Sequence, residues 1–369
     1  MSSEQLAVPT AAPSAGALDN RPSVSRPDAL GPAALAAARR HQPPRGLIGL
    51  GFVVPVTVLL SVGAGGAHHS LILLGPIITF ALPVMAMIAF WWEDWPGTLL
   101  PRPWSGLYDT AIVAAGGVLL TMLGQLVVNG PDLVGVFAPG PAHPGAYPAT
   151  VQLAGGIFTI MLQLTLVCER RPLRGLGRVP AGLAALALCW LLGLIAWAVA
   201  VRSHAIPGED YGAWCTSIGL WQMIFYTALR GWPFARIGRE WLRLLLGNAV
   251  VIACGWGSYL LADGLTWPGT RITAVAGAGI GGILLVSMLF EVWPAIRVTR
   301  LAPGRAIAVS VAALLTALLV WSLPMLAHTL GVPQEREWSW TTHVTLNALS
   351  TVVILHVAVW RRWPVRRPL

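Results

Sequence analysis

The chain has 369 residues, of which 56% are hydrophobic and only 11% are charged. A soluble domain carries about 25% charged residues, and the charges here lie between long apolar runs, so composition excludes an ordinary soluble protein and predicts a multi-span membrane protein. All 24 basic residues are arginine, which excludes lysine Schiff-base and lysine-nucleophile chemistry. The net charge of +9 is interpreted as membrane topology rather than nucleic-acid binding, because the arginines cluster beside the apolar runs.

The first 45 residues are rich in proline, alanine and serine and contain few large apolar side chains. Such a segment cannot bury a core, so residues 1–45 are predicted to form a disordered cytoplasmic tail. The first apolar run begins near Gly46 and is long enough to span a bilayer, which argues against a secretory signal. Residues 46–369 are therefore predicted to form the membrane domain.

The apolar runs of the membrane domain predict about ten transmembrane helices, each close to the 20 residues that a bilayer requires. Their approximate bounds are 46–64, 71–92, 107–129, 149–168, 180–201, 212–230, 241–262, 272–292, 304–327 and 339–360. The predicted fold class is thus an all-α, polytopic membrane helix bundle. Between the third and fourth helices, the Gly- and Pro-rich segment Asn129–Pro148 predicts a flexible loop, with a partly re-entrant flap as the alternative.

Every second helix ends in the same way, with a charged residue three positions before a proline and usually tryptophan directly before that proline. The five prolines are separated by 76, 61, 61 and 70 residues, and each interval holds two predicted helices. This spacing predicts five parallel hairpin repeats rather than the inverted repeats of many transporters. The prolines are Pro96, Pro172, Pro233, Pro294 and Pro364.

The arginines indicate the orientation of these hairpins. Nineteen arginines fall on the side of the proline motifs and three, Arg202, Arg271 and Arg336, on the other side. The positive-inside rule then predicts that both termini are cytoplasmic and that the protein is a multi-pass protein of the bacterial inner membrane, in contact with the lipid bilayer.

The residue three positions before each proline is always charged, but the sign varies along the chain. We interpret them as five ordinary, solvated helix ends. The alternative interpretation is ion pairs between neighbouring hairpins, because opposite signs occur at equivalent positions. The residues are Glu93, Glu169, Arg230, Glu291 and Arg361.

The tenth predicted helix carries a polar stripe. His343, Asn347 and Ser350 are three or four positions apart and therefore share one helical face. Polar groups inside a membrane usually face the interior of the bundle, and Gln222 and Asn248 are predicted to meet this face. We interpret His343, Asn347, Gln222 and Asn248 as substrate-binding candidates, with a hydrogen-bonded packing network as the alternative.

Histidines concentrate in the loops opposite the proline motifs. His68, His69, His204 and His328 form a candidate metal site there, because imidazole suits Zn, Cu or Fe. No pair has a diagnostic spacing such as HExxH, so surface histidines without a metal are the alternative. A bis-histidine cytochrome is disfavoured, and no cofactor can be named.

Glycine pairs predict close helix contacts, above all Gly277 and Gly281 in the eighth helix. The sequence carries neither a GxSxG elbow nor a phosphate-binding P-loop. The leading hypothesis is therefore binding or transport of a small neutral or apolar substrate. The alternatives are a membrane-embedded enzyme, either a metal-dependent oxidase or a lipid-modifying enzyme that uses the histidines, and a non-catalytic partner subunit.

Overall fold

The computed structural model describes residues 41–298 and 300–364. The predicted disorder of residues 1–40 lies outside the described residues, and the first membrane-length helix of the described residues begins at Pro44, two residues before the predicted span. Within the described ranges the only extended pairing is an isolated bridge between Gly140 and His143. The described chain is otherwise built from helices and turns, in agreement with the all-α prediction.

The described residues contain nine helices that are long and apolar enough to cross a membrane. We number them in chain order and reserve the label α6 for an additional helix, which the next paragraph describes. They are α1 (Pro44–Val62), α2 (Ala67–Trp91), α3 (Trp104–Asn129), α4 (Ala149–Val167), α5 (Arg178–Arg202), α7 (Glu240–Gly264), α8 (Gly269–Leu289), α9 (Leu301–Thr329) and α10 (Gln334–Val359).

The sixth predicted span is also helical but is not among these nine. Helix α6 comprises Gly208–Met223 and its continuation Ile224–Ala228. Glu209 and Asp210 occupy its first turn, and Gln222 lies further along it, so the segment is less apolar than the others. The structure therefore supports nine membrane-spanning helices by length and composition, one fewer than predicted.

The helices form an inner ring and an outer ring. In α2, α4, α8 and α10, between 61% and 78% of the most apolar stretch is buried inside the protein, whereas in the five odd-numbered helices this share is only 17–28%. Helix α6 belongs with the inner group, because Tyr211, Ile218, Gln222 and Ala228 along its length are buried. The even-numbered helices therefore make the protein core, and the odd-numbered helices expose apolar surface.

The five even-numbered helices form a continuous ring. Helix α2 packs against α4, α4 against α6, α6 against α8, α8 against α10, and α10 against α2. Each following odd-numbered helix lies against the outside of this ring, as α3 does on α2 and α5 does on α4.

Three outer helices approach the inner ring at a glycine in nearly the same register. A side-chain carbon at Gly117 would lie 3.3 Å from the Ala81 Cα atom, and one at Gly193 would lie 3.0 Å from the Ile157 Cα atom. On α7 the corresponding distance from Gly255 to the Ile218 Cα atom is 2.8 Å. These separations leave no room for a larger residue, so glycine sets the distance between the two rings.

The predicted glycine contact in α8 is made with α10. A side-chain carbon at Gly277 would lie 3.1 Å from Leu346 Cβ, and one at Gly281 would lie 3.2 Å from the backbone oxygen of Thr345. The two inner helices therefore touch almost backbone to backbone at this level.

The five inner helices end in one common conformation. Each widens into a final turn of π-helix, after which the two residues at positions −3 and −2 from the proline adopt left-handed backbone angles. The second of these residues donates its N–H to the carbonyl six positions back, as from Asp94 to Ile88 (3.0 Å) and from Val292 to Val286 (2.7 Å). We call this end of the inner ring the proline end.

The predicted flexible loop between α3 and α4 has local order. It contains a single helical turn, Val134–Phe137. The Gln125 side chain donates to the backbone oxygens of Asp132 (3.1 Å) and Pro144 (2.7 Å), and His143 Nδ1 lies 3.0 Å from Asp132 Oδ2. These bonds tie the loop to the end of α3.

Candidate functional site: a central cavity

A cavity of about 660 Å³ lies on the axis of the inner ring. All five even-numbered helices contribute to its wall, together with Ile296 just beyond α8, and no odd-numbered helix does. Pockets of this size hold small organic molecules. The inner ring thus encloses a binding-sized space at its centre.

The cavity occupies one half of the inner ring. Its deepest lining residues, Leu82, Phe158, Ile280 and Leu346, lie midway along α2, α4, α8 and α10. From this level it extends to the proline end, where charged residues line the mouth. The half of the ring beyond these residues contributes nothing to the lining.

The wall of the cavity is mainly apolar below the mouth. Its polar groups there are Tyr226, Thr227, Ser287 and Ser350. The remaining lining below the mouth consists of aliphatic, aromatic and methionine side chains. Six ionisable residues surround the mouth: Glu93, Asp94, Arg230, Glu291, Arg361 and Arg362.

Two ion pairs join neighbouring inner helices at the mouth. Arg361 Nε lies 2.9 Å from Asp94 Oδ2, which links the ends of α10 and α2. Arg362 Nη2 lies 3.0 Å from Glu291 Oε1, which links the ends of α10 and α8. Arg45, at the start of α1, also contacts Glu291 Oε1 at 3.2 Å.

Arg362 is the most deeply held of these charges. Its side chain is 9% exposed and donates to the backbone oxygens of Leu289 (3.0 Å) and Met288 (2.6 Å). Burial lowers the pKa of Arg362 to about 10, which still leaves the guanidinium charged at neutral pH. It therefore satisfies carbonyl groups that the widened end of α8 leaves free.

Asp94 is held differently. Burial raises the pKa of its carboxyl group, and the hydrogen bond from Arg361 opposes that effect. The partner guanidinium is 39% exposed, so this pair lies at the aqueous edge of the mouth.

The ion pairs that were the alternative interpretation of these helix ends are present in a changed form. Arg361 pairs with Asp94 rather than with Glu93 at the equivalent position, and Glu169 pairs with Arg243 of the outer helix α7 at 3.0 Å. The pairing partners differ from the expectation because two adjacent residues at each helix end have left-handed backbone angles. Their side chains point in different directions, and one of the two reaches the neighbouring helix end.

The predicted polar stripe of α10 is buried and bonded to protein. His343 is 1% exposed, and its Nε2 lies 3.2 Å from the backbone oxygen of Leu60. Asn347 is 5% exposed, and its side-chain amide donates to the backbone oxygen of Gly75 at 3.4 Å. Of this stripe, only Ser350 lines the cavity.

Gln222 and Asn248 belong to a second polar network. Gln222 donates to Gln163 Oε1 (2.5 Å) and to the backbone oxygen of Thr159 (3.1 Å), and Gln163 donates to Asn248 Oδ1 (2.7 Å). The structure therefore brings Gln222 and Asn248 together through Gln163. It does not join them to His343 and Asn347, and none of the four lines the cavity.

The four candidate metal ligands have separate surroundings. His68 Nε2 lies 2.8 Å from Arg336 Nη1, and His328 Nδ1 lies 3.2 Å from Glu337 Oε1. Neither His69 nor His204 joins them in a cluster, because the described ranges 41–298 and 300–364 contain no group of three or more His, Cys, Asp or Glu arranged to hold a metal ion.

A comparison of the chain with protein-family models, curated proteins and solved structures finds no match. The functional argument therefore depends on the cavity and on the residues around it.

Sequence reasoning missed the cavity wall. Its lining residues are mostly ordinary apolar side chains of transmembrane helices, such as Leu162 and Leu284, and nothing in their spacing separates an axial face from a packed face. The sequence signal that pointed to the mouth of the cavity was the charged residue at the end of every second helix. Similar helix ends that meet around one axis place their charges at one opening.

Proposed function

We propose that this integral membrane protein binds a small neutral or apolar molecule in the central cavity, as the substrate site of a transporter or carrier. The observation that supports this proposal is the mainly apolar space of about 660 Å³ on the axis of the inner ring. Burial of apolar ligand surface contributes about 25 cal/mol per Å², and the apolar side chains that would cover the ligand already line the space.

The proposal includes the five parallel hairpin repeats. At the ends of four inner helices, the residue four positions before the proline contacts an outer helix. That outer helix is the third one after the inner helix, counted cyclically through α10 back to α1. The contacts are Trp92 with Gly182, Cys168 with Asn248, Phe290 with Gly46 and Trp360 with Gly106. The fifth end, that of α6, packs on α9 in the corresponding way. This cyclic pattern supports a pseudo-fivefold arrangement in which each hairpin contributes one inner helix to the cavity.

The arginine distribution supports a cytoplasmic mouth in the bacterial inner membrane. The proline end carries Arg230, Arg361 and Arg362 around the cavity, on the arginine-rich side of the chain. In this orientation a ligand enters from the cytoplasm and meets the closed half of the ring at mid-membrane depth.

In this proposal the four substrate-binding candidates support the cavity wall and do not contact the ligand. His343, Asn347, Gln222 and Asn248 form the polar packing behind the wall and at the closed half, and Ser350 is the member of the stripe that faces the ligand. The metal-dependent enzyme receives less support because His68 and His328 contact different partners and the described residues contain no group arranged to hold a metal ion.

Binding is tested by filling the cavity. Octanol binding to the protein in lipid nanodiscs is counted by native mass spectrometry for the natural chain and for Ala358→Trp, which places an indole in the cavity. The matched control is Ala317→Trp on the exposed face of α9. We expect Ala358→Trp alone to lose the bound octanol. Equal binding by both variants would overturn the proposal.

Transport, as opposed to binding alone, is tested by accessibility of the closed half. Thr341, which is 0% exposed and lies on α10 in the closed half, is replaced by cysteine, and a membrane-impermeant thiol reagent is applied to the side opposite the mouth. A transporter that alternates its access admits the reagent when octanol is present. Protection of the cysteine with and without octanol would reduce the function to binding.

A further inference from the structure

The mouth of the cavity carries equal numbers of positive and negative groups. Its three carboxylates come from the ends of α2 and α8, and its three guanidinium groups come from the ends of α6 and α10. Every ionisable residue in the lining lies at this level. The cavity therefore has a charged but balanced opening above an apolar interior.

The apolar part is deep enough for an extended chain. Ile280 and Glu291 both line the cavity from the α8 segment and are eleven positions apart, which corresponds to about 16 Å at the helical rise per residue. Leu82, Phe158 and Leu346 close the same apolar end. A molecule that fills this space has an elongated apolar body.

The mouth retains polar atoms of both kinds for a ligand. Glu291 Oε1 forms ion pairs with Arg362 and Arg45, and the Glu291 side chain remains 22% exposed. Arg361 donates through Nε to Asp94 and remains 39% exposed. A partly exposed carboxylate and a partly exposed guanidinium group thus stand on different helix ends around one opening.

The charge balance favours one class of headgroup. A cationic headgroup is attracted by the carboxylates and repelled by the guanidinium groups, and an anionic headgroup experiences the reverse. A headgroup that carries both charges finds a partner for each, and it avoids the cost of leaving a desolvated charge without a counter-charge. An uncharged headgroup gains neither of these attractions.

We propose that the ligand of the central cavity is a zwitterionic amphiphile, with its apolar body between the inner helices and both charges at the mouth. This proposal rests on the proposed function and specifies its substrate class. The cationic end of the headgroup lies toward Glu93 and Glu291, and the anionic end lies toward Arg361.

The experiment compares one alkyl chain with four headgroups. Octylphosphocholine, octyltrimethylammonium, octyl sulfate and octanol are titrated, below the concentrations at which they self-associate, into the protein in nanodiscs of phosphatidylglycerol. This anionic lipid avoids competition from a zwitterionic bilayer. We expect octylphosphocholine to bind at least about tenfold more tightly than each of the others, which corresponds to ~1.4 kcal/mol.

Two conservative variants locate the headgroup. Arg361→Gln and Glu93→Gln remove exposed or half-buried charges without emptying the core, so both are expected to fold. Each should reduce the preference for octylphosphocholine over octanol, measured as the ratio of the two affinities in the same variant, to less than about threefold, or ~0.6 kcal/mol. A preference unchanged in both variants would contradict the assignment of the headgroup to the mouth.

The possible results separate the two proposals. Equal affinity for octanol and octylphosphocholine, or a preference for the cationic or the anionic compound, would overturn the zwitterion proposal and leave the binding cavity standing. Binding that Ala358→Trp does not reduce, for every compound of the series, would overturn the cavity itself. Loss of all binding in Ala358→Trp together with the phosphocholine preference supports both.

Discussion

The two halves of the inner ring use the same five helices in opposite ways. At the proline end, widened helix ends and paired charges surround an open space, whereas in the other half glycines and small residues bring α8 and α10 into direct contact. His343 and Asn347 are bonded to neighbouring backbone in that closed half. Close helix packing leaves no space on the axis in one half of the ring. In the other half, large side chains and paired charges surround the cavity.

The comparison suggests a division of energetic roles. In lipid there is no hydrophobic gain from bringing two apolar helices together, so close packing and hydrogen bonds must hold the bundle. The closed half provides both. The open half lacks close packing on the axis and depends on the ion pairs and backbone bonds around its mouth.

The largest expected effect comes from removing the buried charge of the open half. Arg362→Met leaves the Leu289 and Met288 carbonyls and part of the Glu291 carboxylate unpaired. Breaking a buried, hydrogen-bonded ion pair costs about 3 kcal/mol or more, so the variant should unfold at clearly lower temperature, as measured by tryptophan fluorescence in detergent.

Its control lies one residue earlier. Arg361→Gln breaks a pair whose guanidinium is 39% exposed, and such pairs contribute about 1 kcal/mol or less. Equal losses in the two variants would show that burial does not distinguish the two arginines and would remove the structural role given to Arg362.

The next effect tests the closed half. Gly281→Leu forces a side chain against the Thr345 carbonyl, and overpacking of this kind costs about 1–3 kcal/mol. The matched control is Gly155→Leu in α4, where a side-chain carbon would have no neighbour within 4 Å. If Gly281→Leu unfolds at the same temperature as the control, α8 and α10 do not pack as described.

A smaller effect is expected from the polar stripe. Asn347→Leu removes one rather long hydrogen bond, to Gly75, and should lower stability by about 0.6–2 kcal/mol, the range for interhelical bonds in membranes. Octanol binding per folded molecule should be retained because Asn347 does not line the cavity. A variant of normal stability that has lost octanol binding would return Asn347 to the substrate site.

The smallest effect concerns the loop beside the closed half. The hydrogen bond from His143 holds the pKa of Asp132 below its usual value of ~3.9. A lowered carboxyl pKa contributes stability that is present above the unfolded pKa and is lost as pH falls through the folded value. Asp132→Asn should therefore increase amide exchange of Val134–Phe137 at neutral pH, measured by mass spectrometry.

The control for the loop is the natural chain as it is acidified. Its protection factors, which correct for the intrinsic pH dependence of amide exchange, should approach those of Asp132→Asn only below the usual carboxyl pKa, while the protection factors in α8 stay unchanged. Identical exchange in the two proteins at neutral pH would show that the Asp132–His143 contact does not order the loop.

The sequence predicted the helices well because membrane spans have a simple requirement, some twenty apolar residues between charged ends. It overestimated the apolar character of α6, because the predicted span 212–230 contains Thr216, Ser217 and Gln222. The packing role of Gly277 and Gly281 was also predictable, since small residues permit close approach.

The site was much less predictable. Polar residues such as His343 and Gln222 attract attention in a membrane helix, yet the structure bonds them to protein. Below the mouth the cavity wall consists mainly of aliphatic, phenylalanine and methionine side chains, which occur equally on lipid-facing and packed surfaces. Which apolar face turns toward the axis depends on how five helix ends meet, and the hydrophobic pattern of a single helix does not contain that information.

The central claim is that one half of the inner ring is open and the other is closed. Its most direct test is thiol accessibility along α10, in a chain whose four native cysteines are replaced by alanine. Val357 lines the cavity in the open half, and Thr341, which is 0% exposed, lies on α10 in the closed half. A charged, impermeant thiol reagent applied from the proline end should modify Val357→Cys rapidly and leave Thr341→Cys unmodified. Protection of Val357→Cys, or equal modification of the two, would contradict the account.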